Sequence, residues 1–83
     1  MFYVYILQSE KNGRYYIGSC QNIQKRLSLH NLGLIKSTKS YLPWILVYNE
    51  LFDTLSGARK REMQIKSWKK RLAIENLIKH FKI

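Results

Sequence analysis

A turn dipeptide between two strand-forming segments constrains the fold of this chain more than any other feature. Residues 2–8 read Phe-Tyr-Val-Tyr-Ile-Leu-Gln, rich in aromatic and β-branched types, and residues 14–19 form a second segment of this kind. Between them, Asn12-Gly13 is the commonest two-residue signal for a β-hairpin. Because the first segment shows no polar alternation, it predicts a buried strand. The sequence therefore predicts an antiparallel hairpin at the start of the chain.

The middle of the chain predicts a helix followed by a third strand. Asn22 can cap a first helix that runs to about Asn31, and Gly33 fits a stop signal for that helix. A polar, basic connection then ends at Pro43, and residues 44–52 (Trp-Ile-Leu-Val-Tyr-Asn-Glu-Leu-Phe) form the third strand candidate.

The last third of the chain predicts two helices. Asp53 or Thr54 would cap a long basic helix over residues 55–70, and a last helix would run over residues 72–80, with Phe81 adding to its apolar face. The predicted order is β-β-α-β-α-α. The fold class is therefore α/β in the broad sense, an α+β domain with a small sheet.

Length and composition limit the class of protein. A chain of 83 residues allows one domain, residues 1–83. The lone Cys20 excludes a disulfide framework and a zinc site built on several cysteines. The apolar runs are short, and the N-terminus shows no basic stretch leading into a signal-peptide core. We therefore expect a cytoplasmic protein with no membrane segment.

The charge balance points to a polyanionic partner. Fifteen Lys and Arg residues face five Asp and Glu residues, for a formal net charge of +10. A field of this strength favours nucleic acid as a partner. The small number of acidic residues also limits any carboxylate chemistry to Glu10, Glu50, Asp53, Glu62 and Glu75.

Two tyrosines and a glycine stand out in the hairpin. Tyr5 lies in the middle of the first strand, and Tyr16 lies on the strand opposite, so the two phenols can meet on one face of the sheet. The alternative is that both are ordinary aromatic strand residues. Gly18, at the end of the second strand, indicates a bulge or a close approach of another group to the backbone.

The first helix carries a polar face. Asn22, Arg26 and His30 are spaced four residues apart and therefore share one side of the helix. Arginine offers a planar fork suited to phosphate oxygens, and histidine can donate to phosphate or move a proton. The alternative is a solvated polar face without a ligand.

Glu62 is the most informative single residue of the basic helix. It interrupts a helical stripe formed by Leu55, Ala58, Glu62, Ile65, Lys69 and Leu72. A carboxylate turned toward the core must be paired or must coordinate something. One interpretation is an ion pair with Arg26 or a neighbouring lysine. The other is a ligand for a hard divalent cation, because one carboxylate can suffice for Mg²⁺.

These residues together resemble a known family. Tyr3-Val4-Tyr5, Tyr16-Ile17-Gly18, Arg26, His30 and Glu62 follow the pattern of the GIY-YIG nucleases in order and at plausible spacings. The wider sequence around them is similar to the short stand-alone members of that family, and the resemblance covers nearly the whole chain.

The resemblance implies a three-stranded antiparallel sheet flanked by helices and phosphodiester hydrolysis with one divalent ion, Mg²⁺ or Mn²⁺. By position, Tyr16 would act as or assist the general base, and Tyr5 would support it by hydrogen bonding. Arg26 would stabilise phosphate charge, His30 would lie near the phosphate, and Glu62 would hold the metal.

Some positions depart from the family pattern or match it only loosely. Tyr3 and Val4 replace the Gly and Ile of the family name, and Ser19 stands where some repair-type members carry a lysine. A free tyrosine, with a pKa of about 10, is a poor base at neutral pH, which makes Arg26 and the metal more necessary. Asn76 is matched to an asparagine that some members place after the metal glutamate.

The sequence thus predicts a metal-dependent endonuclease that acts on nucleic acid, DNA more than RNA. The alternatives are a nucleic-acid-binding module with vestigial nuclease activity and a subunit that cuts only with a protein partner. Four basic side chains off the core stripe would contact the nucleic-acid backbone: Arg59, Lys60, Lys66 and Lys70.

Overall fold

The computed structural model describes residues 1–80, and the predicted contribution of Phe81 lies outside that range. The elements are β1 (Phe2–Ser9), β2 (Tyr15–Cys20), α1 (Ile23–Asn31), β3 (Trp44–Phe52), α2 (Leu55–Lys66) and α3 (Arg71–Lys79). A short 3-10 helix, Lys39–Tyr41, lies in the connection before β3. The predicted order β-β-α-β-α-α is confirmed. Within residues 1–80, every helix is too short or too polar to cross a bilayer.

The three strands form one antiparallel sheet in the order β2-β1-β3, so β1 lies in the centre and β2 at one edge. The segment from Val4 to Leu7 is completely buried, which confirms the buried strand predicted there. Successive side chains of a strand point to opposite faces, so β1 contributes to two cores. Val4 and Ile6 pack with residues of α2 and α3, whereas Tyr5 and Leu7 pack with residues of α1 and the connection before β3.

The predicted caps are present at the starts of α1 and α2. The Asn22 side chain accepts a hydrogen bond from the Lys25 amide at 2.9 Å at the start of α1. Thr54 does the same for the Gly57 amide at 3.0 Å at the start of α2. Gly33 follows α1 with a φ of +74°, a left-handed conformation that favours glycine.

The basic helix is shorter than the sequence predicts. It ends at Lys66 rather than at Lys70, because the chain turns there to bring Trp68 against the core. The Ser67 hydroxyl donates to the carbonyl of Gln64 at 2.6 Å and occupies one of the last carbonyls of the helix. The prediction that Lys70 belongs to this helix is therefore wrong, and Lys70 instead precedes α3 as its N-cap residue.

Candidate active site

A small cleft opens at the free edge of β2, with a volume of about 190 Å³. Because β2 is an edge strand, side chains from both faces of the sheet can reach this point. Five of the predicted site residues meet there with two others, and the complete lining is Tyr5, Tyr16, Gly18, Ser19, Arg26, Arg59 and Glu62.

The strand register places the two tyrosines side by side. Tyr5 lies opposite Gly18 and Tyr16 lies opposite Leu7, so the tyrosines are diagonal neighbours on one face, with ring centroids 6.3 Å apart. Position 18 must be glycine because the Tyr5 ring lies directly over its backbone. A Cβ at position 18 would lie 2.6 Å from the Tyr5 hydroxyl oxygen, which confirms the close approach to the backbone predicted there.

Behind Tyr5 lies a buried polar pair. The Tyr5 hydroxyl is 3.1 Å from Nε2 of His30, and Nδ1 of His30 is 2.7 Å from the Thr38 hydroxyl. Burial, assisted by the charge of Arg26, lowers the pKa of His30 to about 4, so its imidazole is neutral at physiological pH. Burial is also the main cause that raises the pKa of Tyr5 well above its usual value, so Tyr5 stays protonated.

This arrangement puts His30 behind the cleft rather than in it. His30 is completely buried, and its ring faces Tyr5 and Tyr16 instead of the opening. Sequence reasoning missed its partner Thr38, which is buried within a stretch predicted to be a polar connection. Nothing in the sequence around Thr38 distinguishes it from the exposed polar residues beside it.

Tyr16 is held by its ring and leaves its hydroxyl available. Its ring centroid lies 4.9 Å from that of His30 and 6.3 Å from that of Trp44, both in edge-on geometry. Within residues 1–80, its hydroxyl has no hydrogen-bond partner. Tyr16 is half-buried and lines the cleft, so a water molecule can reach this hydroxyl.

Glu62 enters the cleft from α2 with both carboxylate oxygens engaged. The Ser19 hydroxyl donates to Oε1 at 2.7 Å, and Lys66 Nζ donates to Oε2 at 2.6 Å. Burial raises the pKa of this carboxyl, but the hydrogen bonds from Lys66 and Ser19 and the charges of Lys66 and Arg59 outweigh burial and hold it below its usual value. Glu62 is thus ionised at neutral pH. Of the two ion pairs predicted from the sequence, with Arg26 or with a neighbouring lysine, Glu62 forms the one with a lysine, Lys66.

The residues present fit a single hard cation. Among residues 1–80, Glu62 is the only carboxylate that lines the cleft. Glu50 and Glu75 form ion pairs with Arg61 and Arg71 elsewhere. Residues 1–80 also hold no cluster of three or more His, Cys, Asp or Glu side chains. Mg²⁺ commonly uses one or two carboxylates and completes its shell with water and phosphate oxygens. The Glu62 carboxylate, with the Ser19 hydroxyl beside it, suits such a site.

The other predicted contacts are spread over the surface. Arg59 is exposed and lines the cleft, whereas Lys60 and Lys66 are exposed along α2 and Lys70 is exposed between α2 and α3. Asn76 is exposed on α3 and is not among the described residues that line the cleft.

Comparison with known proteins yields consistent matches. A sequence model of the GIY-YIG catalytic domain matches residues 1–77. A UPF0213 protein of Staphylococcus saprophyticus is 46% identical over 67 residues, covering 80% of each chain. A UPF0213 protein of Syntrophus aciditrophicus is 52% identical over 67 residues, covering 77% of this chain and 75% of the relative. The solution NMR structure of a UPF0213 protein from Bacillus halodurans superimposes with a TM-score of 0.60 at 30% identity, covering 95% of this chain and 84% of that one.

Proposed function

This chain belongs to the GIY-YIG catalytic domain family, and from that membership we propose that it is a metal-dependent endonuclease that hydrolyses phosphodiester bonds in nucleic acid, DNA rather than RNA. One observation carries the proposal. A single cleft at the edge of β2 combines the free hydroxyl of Tyr16, the guanidinium of Arg26 and the ionised carboxylate of Glu62.

These groups match the needs of the reaction. In hydrolysis, a water oxygen bonds to phosphorus, the bond from phosphorus to the leaving oxygen breaks, and the water gives up a proton. Tyr16, whose hydroxyl is otherwise unengaged, would relay that proton by taking it from the attacking water while passing its own proton to solvent, and the leaving oxygen would take a proton from solvent. Arg26 would pair with the charge that develops on the phosphoryl oxygens. Tyr5 stays protonated and would orient the neighbouring groups by hydrogen bonding.

Glu62 would hold one Mg²⁺ or Mn²⁺ ion. The ion would supply Lewis-acid stabilisation of the phosphoryl oxygens. Lys66 occupies one carboxylate oxygen of Glu62, so it would have to leave that oxygen when the ion binds. Once released, its ammonium would be available to a phosphate of the nucleic-acid backbone.

The surface charge supports nucleic acid as the substrate. The chain carries a net charge of +10, and Arg59 extends the basic surface of α2 into the cleft. Lys60, Lys66 and Lys70 would contact backbone phosphates on either side of the scissile bond. A cytoplasmic location is part of the same proposal, since the free Cys20 suits a reducing compartment.

The proposal is tested by the Glu62→Gln substitution, which keeps the side-chain shape and removes the charge that a hard cation needs. We expect wild-type protein with Mg²⁺ or Mn²⁺ to cut at least one member of a panel of single-stranded, duplex, nicked and branched DNAs. The variant should cut none of them, while its affinity for the same DNA is kept or increased because a negative charge has been lost.

The matched control is Glu75→Gln, which removes an exposed glutamate of α3 that pairs with Arg71 outside the cleft. This control should cut like wild type, and EDTA should abolish cutting by both. Equal activity of Glu62→Gln and wild type would refute the proposed metal ligand. A wild-type protein that cuts no DNA or RNA with either metal would refute the nuclease proposal itself.

The engagement of Glu62 also favours a second candidate function. A carboxylate whose oxygens already accept from Lys66 and Ser19 needs no metal ion, which suits a protein that binds nucleic acid and does not cut it unless a protein partner rearranges the cleft. This candidate predicts salt-sensitive DNA binding by the isolated chain without metal-dependent products. The same DNA panel therefore separates the two functions.

A further inference from the structure

A buried chain of hydrogen bonds leads away from the cleft. Tyr5 Oη, the His30 ring and Thr38 Oγ1 are joined by contacts of 3.1 and 2.7 Å, and these side chains are at most 1% exposed. The backbone of Thr38 is itself anchored. Its amide donates to the Ile35 carbonyl at 3.1 Å, and its carbonyl accepts from Trp44 Nε1 at 3.0 Å.

The Ile35 carbonyl favours one assignment of donors and acceptors in the Tyr5–His30–Thr38 hydrogen bonds. The Thr38 hydroxyl reaches the Ile35 carbonyl oxygen at 3.4 Å, and a carbonyl oxygen can only accept. Where the Thr38 hydroxyl gives its proton to Ile35, it accepts from His30 at the shorter 2.7 Å contact, and that direction places the imidazole hydrogen on Nδ1. Nε2 is then bare and accepts the Tyr5 proton. In the opposite direction, Nε2–H of His30 would donate to Tyr5. The Tyr5 hydroxyl would then find no acceptor for its own proton among residues 1–80.

We propose that Thr38 is a positioning residue for the nuclease reaction: its hydroxyl fixes the Nδ1–H tautomer of His30 and thereby directs the Tyr5 hydroxyl proton away from the cleft. The lone pairs of the Tyr5 oxygen then face the cleft and accept from Arg26 or from a water beside Tyr16. This inference rests on the proposed function, because the orientation matters for the reaction only if the cleft is catalytic.

The tautomer is measured directly by ¹⁵N NMR of the imidazole nitrogens at neutral pH. The chain has two histidines, so the exposed His80 is removed by His80→Gln to leave the His30 signals alone. We expect a pyrrole-type Nδ1 and a pyridine-type Nε2. A pyrrole-type Nε2 would overturn the proposed direction of the chain. This measurement needs neither metal nor substrate.

The contribution to the reaction is measured with two substitutions at position 38. Thr38→Val keeps the shape of the side chain but cannot accept from His30, whereas Thr38→Ser keeps the hydroxyl. Loss of the hydrogen-bond partner of a metal-binding histidine typically costs about 10–100-fold in activity, and by analogy we expect a loss of that size for the valine variant. The serine variant should cut close to the wild-type rate.

The ¹⁵N spectrum of His30 distinguishes a positioning role of Thr38 from a purely structural one, because a purely structural role would leave the tautomer of His30 unchanged. In folded Thr38→Val, the fixed Nδ1–H signature should change, whereas in Thr38→Ser it should be retained. A valine variant that is folded and cuts like wild type would overturn the positioning role. Should the valine variant not fold, a serine variant without the wild-type tautomer would overturn it instead. A wild-type protein that shows the expected tautomer and cuts nothing would refute the proposed function, and with it the role of Thr38 in catalysis.

Discussion

The two sides of the cleft are built on different principles. On the α1 side, Tyr5 and His30 are buried, neutral and joined by hydrogen bonds that pass into the interior. On the α2 side, Glu62, Lys66 and Arg59 are charged and reach solvent to different degrees. Tyr5 and His30 are fixed before any ligand arrives, because both are buried and have no water to exchange with. The second side is held by an ion pair, which the proposed metal ion would replace.

The difference indicates a division of labour. Groups that position a proton or a water need a fixed geometry, and burial supplies that geometry at the cost of making the site sensitive to protonation. Groups that receive a metal ion and a phosphate backbone must exchange partners, so an exposed ion pair of low stability suits them. The predictions that follow test each side in turn.

The largest effect is expected on the fixed side, at Tyr16. The Tyr16→Phe substitution keeps the ring that packs against His30 and Trp44 and deletes only the hydroxyl, so the fold should be unchanged. Loss of a general acid–base group typically costs ~10²–10⁴-fold in rate. We expect a decrease of that size in the cleavage rate, measured in single-turnover assays with Mg²⁺ or Mn²⁺.

Tyr15→Phe is the control for Tyr16, because Tyr15 directly precedes Tyr16 in β2 and packs on the opposite face under Arg71. It should cut at the wild-type rate. If Tyr16→Phe also cuts at that rate, Tyr16 is a packing residue and the α1 side of the cleft lacks its proposed proton acceptor.

The next effect concerns the stability of the fixed side. His30 has a pKa of about 4 in the folded chain against 6.5 ordinarily, so the unfolded chain binds a proton over this range and the folded chain does not. The free energy of unfolding therefore falls as the pH drops from about 6.5 toward 4. Between pH 7 and pH 5 we expect a loss of about 2 kcal/mol, measured from urea unfolding midpoints.

The pH window separates His30 from the carboxylates. Glu62 has a lowered pKa, so its contribution to stability is lost only below its ordinary value of 4.5. The His80→Gln variant should lose as much stability as wild type over the same interval, because His80 is exposed. Equal midpoints at pH 7 and pH 5 would show that His30 accepts a proton without disturbing the fold, which contradicts a rigid α1 side.

The elements of the fold were predictable because each has a local signal. Asn12-Gly13 marks the hairpin, although its loop spans residues 10–14 rather than two residues. Asn22 and Thr54 cap their helices, and the order of elements is as predicted. The end of α2 was not predictable, because residues 67–70 continue a helical pattern in the sequence. The packing of Trp68 into the core stops the helix there, and such a contact depends on the whole fold.

The candidate site was predictable to the extent that strand register and helix spacing bring residues together. Tyr5, Tyr16, Arg26 and Glu62 were singled out from the sequence, and they line one cleft. The position of His30 behind Tyr5 follows from how α1 packs on the sheet, which helix spacing alone does not specify. Thr38 could not be found, because its burial depends on how the connection between α1 and β3, residues 32–43, folds under these two elements.

The smallest effect is expected on the exchangeable side, at Lys66. In Lys66→Met the ion no longer has to displace an ammonium from Glu62, so the affinity for Mn²⁺ alone should rise. An exposed ion pair between residues four apart in a helix is worth about 0.3–0.5 kcal/mol, which corresponds to about a twofold gain in affinity. The gain is measured by calorimetry or by the free-ion signal of Mn²⁺ in electron paramagnetic resonance.

Lys69→Met removes the same charge from an exposed position outside the cleft and should leave the affinity unchanged. If both variants gain equally, the effect reflects the net charge of the chain; a gain confined to Lys66→Met would show that this lysine and the metal ion compete for one carboxylate.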